Sequence, residues 1–191
     1  MLLRNDERRK AKDIRLLDEL LLLSRVGGRV ERKKLRDATL VFLIKGCPVR
    51  EILLGYKKAG FAQGKFNGFG GKVEAGETVE RAAVRELEEE TGIQVAEQDL
   101  QKVAHLTFVF PFMPEWDQVV HVFLARRWTG EPVESAEMKP AWYKAAEIPF
   151  ASMWQDDPHW LPCVLAGKRV RAWFAFGEDN ETVTDVRLEE W

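Results

Sequence analysis

The sequence predicts an α/β fold in which a mixed β-sheet lies between helices, an α/β/α sandwich preceded by an N-terminal helical extension. Three observations lead to this prediction. Short runs of apolar and β-branched residues recur along the chain as candidate strands. One long candidate helix lies among the first strands and a second among the last ones. The length of 191 residues suits a single domain with a proper core. Such helices bury their apolar faces on the two sides of one sheet.

Composition argues against several classes of protein. A net charge of -2 gives no reason to expect binding to a nucleic acid polymer. The only cysteines, Cys47 and Cys163, imply no disulfide framework and suit a reducing compartment. No apolar run approaches the length that spans a membrane. We therefore expect a cytoplasmic protein.

Residues 1–37 differ in charge from the rest of the chain. They carry 12 Lys and Arg against 7 Asp and Glu, so that an acidic remainder follows a basic segment. Apolar residues give this segment one helical face, which Gly27 and Gly28 end: Ile14, Leu16, Leu17, Leu20, Leu21, Leu23 and Val26. Acidic residues within the apolar stretch argue against a signal peptide: Asp13, Asp18 and Glu19. We predict a helix that packs on the main domain or mediates self-association, with a partner-binding or membrane-surface helix as the alternative.

The main domain, residues 38–191, begins with two predicted strands. Residues 38–45 and 51–56 are rich in apolar and β-branched side chains, and residues 46–50 form the turn between them. Residues 57–72, KKAGFAQGKFNGFGGK, follow as a loop rich in Gly and Lys. Its glycines let the backbone turn tightly and approach a ligand closely.

The next segment, GKVEAGETVERAAVRELEEETGI at residues 71–93, contains the clearest helix. Thr78 is suited to cap its start, and Gly92 lies where a left-handed residue ends a helix. Residues 79–90 contain neither Pro nor Gly. Apolar residues form a stripe that can face a core: Val79, Ala83 and Leu87. At about 100° per residue, three carboxylates fall within one adjoining sector: Glu86, Glu89 and Glu90.

A run of glutamates is usually a solvated helix face, but the surroundings here favour a cation site. A hard divalent cation takes several oxygen ligands, and Mg²⁺ in particular combines one or two carboxylates with substrate phosphates. Glu77 lies upstream on the loop and can fold back towards the helix. Arg85 is placed to hold such a carboxylate in a fixed fork.

These residues resemble the Nudix box at every specified position: Gly71, five residues, Glu77, seven residues, then Arg-Glu-hydrophobic-x-Glu-Glu-x-Gly-hydrophobic at 85–93. The resemblance implies the Nudix fold and hydrolysis of a nucleoside diphosphate linked to another group. It implies Mg²⁺ as cofactor, with Mn²⁺ as a substitute. It also implies that Glu86, Glu89 and Glu90 ligate the metal or act as the base, and that Arg85 with Glu77 orients them.

The remaining elements complete the sheet and add the second helix. A Pro- and Trp-bearing loop at 111–118 separates two of the strands, and Pro158 follows two aspartates at a plausible helix start. The predicted strands cover residues 100–110, 119–127, 141–146, 170–176 and 183–188, and the predicted helix covers residues 153–168.

Substrate selectivity must come from outside the box. Residues 57–72, 132–138 and 150–162 resemble the oxidised-purine nucleoside triphosphate hydrolases, the animal MutT-homologue branch of Nudix, and the similarity runs from about residue 38 to the C-terminus. That branch implies a base pocket and a metal set. The pocket residues are Thr39, Lys57, Phe61, Asn67, Phe108, Trp154, Asp156 and Asp157. The metal set is Gly71, through its carbonyl, with Glu86, Glu89, Glu90 and Glu137.

The residues themselves support a purine pocket while leaving alternatives open. A purine needs an aromatic face, which Trp154, Phe61 and Phe108 can supply unless they are plain core. Asp156 and Asp157 either cap a helix or read the base edge. If both face an apolar pocket, one holds a proton, and the pair then offers a donor and an acceptor for oxidised guanine and oxidised adenine alike.

The reaction implied by the branch is attack of water on the α-phosphorus, activated by Glu89 or Glu90, with release of a nucleoside monophosphate and pyrophosphate. The sequence departs from the branch near Gln118, where a Met is expected after a loop one residue shorter.

Two other functions remain open: a Nudix hydrolase of a dinucleoside polyphosphate or nucleotide sugar, and a non-catalytic nucleotide-binding module. A protein-interaction role for residues 1–37 is compatible with any of them.

Overall fold

The computed structural model describes residues 23–26, 29–32, 35–60 and 62–190. The strands in this part of the chain are β1 (Leu23–Val26), β2 (Arg29–Arg32), β3 (Arg36–Lys45), β4 (Glu51–Lys57), β5 (Phe66–Asn67), β6 (Leu100–Val109), β7 (Gln118–Ala125), β8 (Met138–Lys144), β9 (Val170–Phe176) and β10 (Val183–Glu190). The α-helices are α1 (Val79–Thr91) and α2 (Asp157–Leu165).

Eight of these strands form one mixed sheet. The strand order is β10-β9-β6-β7-β3-β4-β5, and β8 pairs with β4 outside this path. The pairs β3–β7 and β6–β9 are parallel, whereas β3–β4 and β6–β7 are antiparallel. A parallel pair needs a long connection between its strands, and the chain between β3 and β7 includes α1.

The two helices pack on opposite faces of the sheet. Alternate residues of a strand point to opposite faces. On β3, Phe42 belongs to the core cluster that contains Trp160 of α2. Val41, the preceding residue, belongs to the cluster that contains Ala83 and Leu87 of α1. The prediction of an α/β fold with a mixed sheet and a helix on each face is therefore confirmed.

Helix α1 begins and ends where its sequence predicts. The Thr78 hydroxyl accepts a hydrogen bond of 3.2 Å from the Arg81 N–H at the first turn. Gly92 has a φ of 72°, and its N–H donates to the Glu88 carbonyl at 2.7 Å. The apolar stripe contacts the core as expected, with Ala83 and Leu87 fully buried.

The predicted N-terminal helix is wrong where the structure describes it. Residues 23–26, the end of the predicted helix, form β1, which pairs antiparallel with β2 in a register that joins Val26 to Arg29. Gly27 and Gly28, read as a helix stop, stand between these strands, and Gly-Gly is typical of a two-residue hairpin connection. The rest of that prediction, residues 1–22, lies outside the described residues.

Other boundaries moved by a few residues. Arg36 and Asp37, assigned to the extension, are the first residues of β3. Strand β8 begins at Met138 rather than at 141, and α2 spans Asp157–Leu165 rather than 153–168. Residues 153–156 are non-helical and connect a 3-10 turn at Phe150–Ser152 to this helix. Within the described residues, no helix is both long and apolar enough to cross a lipid bilayer.

Candidate active site

Arg85 joins the loop before α1 to the helix itself. Its Nε donates to Glu77 Oε1 at 3.0 Å and its Nη2 donates to Glu77 Oε2 at 3.1 Å. Two parallel charge-assisted hydrogen bonds of this kind fix both groups in one geometry. The Arg85 hydrogen bonds hold the pKa of the Glu77 carboxyl below its usual value. Glu77 also accepts a hydrogen bond from the Glu74 N–H at 3.1 Å, which fixes the loop.

The same guanidinium contacts two glutamates of the helix. Arg85 Nη1 donates to Glu86 Oε1 at 2.9 Å and to Glu89 Oε2 at 3.3 Å. The two carboxylates differ in exposure, since the Glu86 side chain is 19% exposed and that of Glu89 is 60% exposed. Glu89 is therefore the less constrained of the two.

Glu90 is the buried member of the carboxylate patch. Its residue is only 9% exposed, and burial raises the pKa of its carboxyl. Two donors oppose this effect: the Gly70 N–H, at 3.0 Å from Oε2, and the Lys57 ammonium, at 3.3 Å from Oε1. Lys57 also donates to Glu137 Oε2 at 2.7 Å. One lysine thus bridges a helix carboxylate and a carboxylate from the segment before β8.

Gly71 lies directly against the helix carboxylates. A Cβ atom at this position would be 2.5 Å from Glu86 Oε1, so no larger residue fits without displacing Glu86. The Gly71 carbonyl accepts a hydrogen bond from the Thr39 N–H at 2.8 Å, and the Thr39 hydroxyl lies 3.4 Å from it. Strand β3 therefore holds the glycine segment against α1.

A cleft lies between the glycine segment, α1 and the residues before β8, and its lining residues fit a hard divalent cation. Gly71, Glu86, Glu90 and Glu137 all line it, and oxygen donors are what Mg²⁺ and Mn²⁺ prefer. Glu89 is not among the lining residues. In the part of the chain that the structure describes, no three His, Cys, Asp or Glu side chains are gathered around one point as a ready cage. The Lys57 ammonium instead lies between Glu90 and Glu137 and supplies positive charge there.

A cavity of about 520 Å³ opens beside the cleft. It collects the predicted pocket residues from five separate parts of the chain: Thr39, Lys57, Asn67, Phe108, Trp154, Asp156 and Asp157. Phe61, the remaining predicted pocket residue, lies outside the described residues. Gly71, Glu90 and Glu137 line both the cavity and the cleft, so the two spaces adjoin.

Asp156 and Asp157 line the cavity and are buried, with 4% and 2% exposure. Burial raises the pKa of Asp156 to about 6. Burial, reinforced by the neighbouring Asp156 carboxyl, raises the pKa of Asp157 well above its usual value. The Trp160 indole N–H donates to Asp156 Oδ2 at 3.0 Å, and the Trp154 N–H donates to Asp157 Oδ2 at 3.0 Å.

These contacts test the helix-cap interpretation of the aspartate pair. Asp156 stands at the N-cap of α2, but its side chain makes no capping hydrogen bond. Asp157 accepts from a residue that precedes the helix, so it does not cap the helix either. The helix-cap alternative is therefore wrong.

Several cavity residues were not predicted from the sequence. They are mostly apolar: Leu40, Leu106, Phe110, Trp116, Trp160 and Phe176. Trp160 follows Asp156 by four residues, a helical spacing that gave a usable signal. The others come from a loop and from strands, and the sequence does not show which of their side chains meet, because that depends on strand register. Phe110 and Phe176, for example, are far apart in sequence but stack with ring centroids 4.5 Å apart. Gln118, at the departure from the expected Met, also lines the cavity.

Comparison with known proteins agrees with this geometry. The family model described as the NUDIX domain matches residues 34–163. The chain is 45% identical over 152 residues to the oxidized purine nucleoside triphosphate hydrolase of Mus musculus, and equally to that of Danio rerio, covering 80% of this chain and 93% of each relative. Among solved structures, the MutT protein of Bacillus halodurans superposes with a TM-score of 0.70 at 26% identity, covering 81% of this chain and 97% of that chain.

Proposed function

The chain belongs to the Nudix family, and from that premise we propose that it hydrolyses oxidised purine nucleoside triphosphates, such as 8-oxo-dGTP and 2-hydroxy-dATP, to the monophosphate and pyrophosphate. The observation that carries the proposal is a cavity lined by a buried pair of carboxyl groups, Asp156 and Asp157, which shares Gly71, Glu90 and Glu137 with the adjoining cleft. A purine base suits the cavity with its buried carboxyl groups, and a triphosphate suits the adjoining cleft. The relatives that match over most of the chain carry the same activity in their names.

The buried aspartates recognise the base through one retained proton. Two charged carboxylates side by side in a buried site are costly, so the pair keeps a proton near neutral pH. The protonated acid donates a hydrogen bond and the ionised one accepts. Because an oxidised guanine and an oxidised adenine present different donors and acceptors, this combination accommodates both.

Mg²⁺, with Mn²⁺ as a substitute, is the cofactor that we propose, held by the Gly71 carbonyl and by Glu86, Glu90 and Glu137, which line the cleft. Glu89, the remaining predicted ligand, does not line it. When bound, it neutralises phosphate oxygens and stabilises the charge that develops during phosphoryl transfer. Arg85 and Glu77 keep the helix carboxylates oriented through the hydrogen bonds described above.

Glu90 or Glu89 accepts the proton of the attacking water. Glu90 is the better candidate because it is buried and lines both the cleft and the cavity, whereas Glu89 lines neither. The water oxygen forms a bond to the α-phosphorus while the bond from that phosphorus to the bridging oxygen breaks. Pyrophosphate leaves with the electron pair of the broken bond.

The biological task of such an activity is to remove oxidised precursors from the nucleotide pool, and we propose that it takes place in the cytoplasm. We assign it to a Nudix domain that begins with β3, at Arg36 rather than at residue 38, and runs to residue 191. The residues before β3 are assigned to a separate segment that packs on the domain or mediates self-association. Deleting residues 1–22 and measuring turnover and the number of subunits per assembly tests this role. Unchanged turnover with fewer subunits per assembly supports self-association.

Pyrophosphate release with Mg²⁺ across a panel of substrates tests the proposed function. The panel contains 8-oxo-dGTP, 2-hydroxy-dATP, O6-methyl-dGTP, dGTP, a dinucleoside tetraphosphate and ADP-ribose. We expect kcat/KM for an oxidised purine to exceed that for dGTP by about two orders of magnitude or more, because unpaired buried polar groups discriminate strongly. Preference for the dinucleotide or for ADP-ribose overturns the substrate assignment. An absence of turnover on the whole panel favours a nucleotide-binding module instead.

A further inference from the structure

Lys65 contacts the aromatic wall of the cavity from outside. It stands at the end of the glycine-rich loop, immediately before β5, and its Nζ lies 4.9 Å above the ring centroid of Trp154. Trp154 lines the cavity, whereas Lys65 is not one of the lining residues. An ammonium group at this distance attracts the ring electrostatically. Trp154 is therefore held by a charged group that is not part of the cavity lining.

The loop between β9 and β10 supplies a carboxylate partner for the Lys65 ammonium. Glu181 Oε2 lies 3.6 Å from Lys65 Nζ. Asp179 orders this turn, since its Oδ1 accepts hydrogen bonds from the N–H groups of Glu181 at 3.0 Å and Thr182 at 2.8 Å. The side chain of Gln155, next to Trp154, accepts a hydrogen bond of 3.1 Å from the Val183 N–H. Lys65, the loop between β9 and β10, and the segment that contains Trp154 and Gln155 are thus linked by contacts although they are distant in sequence.

The position of Trp154 matters for the aspartate pair as well as for stacking. Its ring lies in a T-shaped arrangement with Phe176, with centroids 6.2 Å apart, and its backbone N–H donates to Asp157 at 3.0 Å. The charge of Lys65 also acts on Asp157, where it opposes the rise in pKa that burial causes. A shift of Trp154 would therefore disturb both the wall of the cavity and one of the two buried carboxyl groups that line it.

We propose that Lys65, held by Glu181, is a positioning residue for base recognition: its ammonium fixes the Trp154 ring as the surface on which the purine stacks. The inference rests on the proposed function for its substrate class, but the contact that it names does not depend on that function. Because Lys65 acts through Trp154, its loss affects binding of the base more than the chemical step.

The test compares Lys65→Met and Lys65→Arg in kcat and KM for 8-oxo-dGTP. Met keeps the apolar length and removes the charge, whereas Arg restores a cation that can lie over the ring. We expect Lys65→Met to raise KM by roughly three- to tenfold with kcat changed less than about twofold, and Lys65→Arg to recover most of the loss. Glu181→Gln, which keeps the lysine but removes its partner, is expected to raise KM in the same direction by less.

A matched control removes the same type of contact elsewhere. Lys45 Nζ lies 3.6 Å above the ring centroid of Trp142, and neither residue lines the cavity. Lys45→Met should leave both kinetic constants unchanged. The proposal is overturned if Lys65→Met matches the wild type, if Lys65→Arg is as impaired as Lys65→Met, or if only kcat falls.

A second measurement separates this proposal from the proposed function. Acrylamide quenching of Trp154 fluorescence, taken as the difference between each protein and the same protein carrying Trp154→Phe, needs no substrate. Lys65→Met should increase the quenching of Trp154, while Lys65→Arg and Lys45→Met should not. If the wild type fails on oxidised purines but this pattern holds, the substrate assignment is wrong and the positioning contact stands. Unchanged quenching in Lys65→Met overturns the contact whatever the substrate is.

Discussion

Arg85 and Glu77 form a two-point ion pair that joins the helix α1 to the loop before it, with N–O distances of 3.0 and 3.1 Å. The same guanidinium reaches Glu86 and Glu89, so one side chain orients three carboxylates. Only a planar group with several donors makes these contacts at once, because a lysine offers a single point charge. The ion pair is therefore a means of ordering the proposed metal ligands.

Arg85→Lys should lower kcat/KM for the preferred substrate by about 10- to 100-fold, since groups that orient metal ligands contribute about that much. The far-ultraviolet circular dichroism should stay unchanged. Arg81→Lys, at an exposed position one turn earlier on α1, serves as the control and should keep full activity. Equal activity of the two variants would show that the two-point ion pair is dispensable.

Glu90→Gln tests the proposed base. The amide keeps the shape of the side chain and can still accept from the Gly70 N–H, but it cannot take a proton from water. We expect kcat to fall by about 10²- to 10⁴-fold while the thermal midpoint stays close to that of the wild type. The control is Glu88→Gln, an exposed neighbour that contacts Gln94. Near wild-type turnover of Glu90→Gln would exclude Glu90 as the base.

Asp157→Asn tests recognition by a shared proton. Asparagine mimics a permanently protonated acid, so it fixes one hydrogen-bonding pattern where the aspartate pair offers more than one. We expect the ratio of kcat/KM between 8-oxo-dGTP and 2-hydroxy-dATP to change by at least about tenfold. If both substrates are hydrolysed as in the wild type, the shared proton does not explain acceptance of both bases.

The buried aspartates also predict a dependence of stability on pH. The pKa of Asp156 rises from 3.8 to about 6 on folding, so the folded state holds its proton more tightly. For an acid with a raised pKa, stability is greatest below the unfolded value and falls as pH rises towards the folded value. Asp156→Asn cannot ionise, so it avoids this loss of stability, and its side-chain oxygen can still accept the hydrogen bond from the Trp160 indole N–H. Its thermal midpoint should exceed that of the wild type at pH 7, and the difference should shrink as pH falls from about 6 to about 4. A difference that grows in acid would contradict the raised pKa.

Lys57→Met should strengthen metal binding in the absence of nucleotide. The Lys57 ammonium contacts both Glu90 and Glu137, so it competes with a cation for these carboxylates. Removing it leaves two negative charges without their partner, and we expect Mn²⁺ to bind about fivefold more tightly in titration calorimetry. Lys58→Met is the matched control because Lys58 pairs with Glu134, which does not line the cleft. Weaker Mn²⁺ binding by Lys57→Met would indicate that the lysine assists metal binding instead.

Features that depend on neighbours in sequence were predicted well. The start of α1 at Thr78, its end at Gly92 and the carboxylate patch follow from capping chemistry and from the helical repeat, which act over a few residues. The error at residues 23–26 has a local origin as well. A short apolar run has no decisive period, and the Gly-Gly that follows it suits either a helix end or a hairpin.

The sequence by itself determined the helix of carboxylates, the paired strands around it and the resemblance that points to phosphate chemistry. Only the tertiary structure decided that the aspartate pair is buried in the cavity rather than capping a helix, that Lys57 bridges Glu90 and Glu137, and that Lys65 lies over Trp154. The reason is physical. Burial, and the pKa shifts that it causes, depend on which distant segments pack together, and that packing is set by sheet register and loop closure rather than by local spacing.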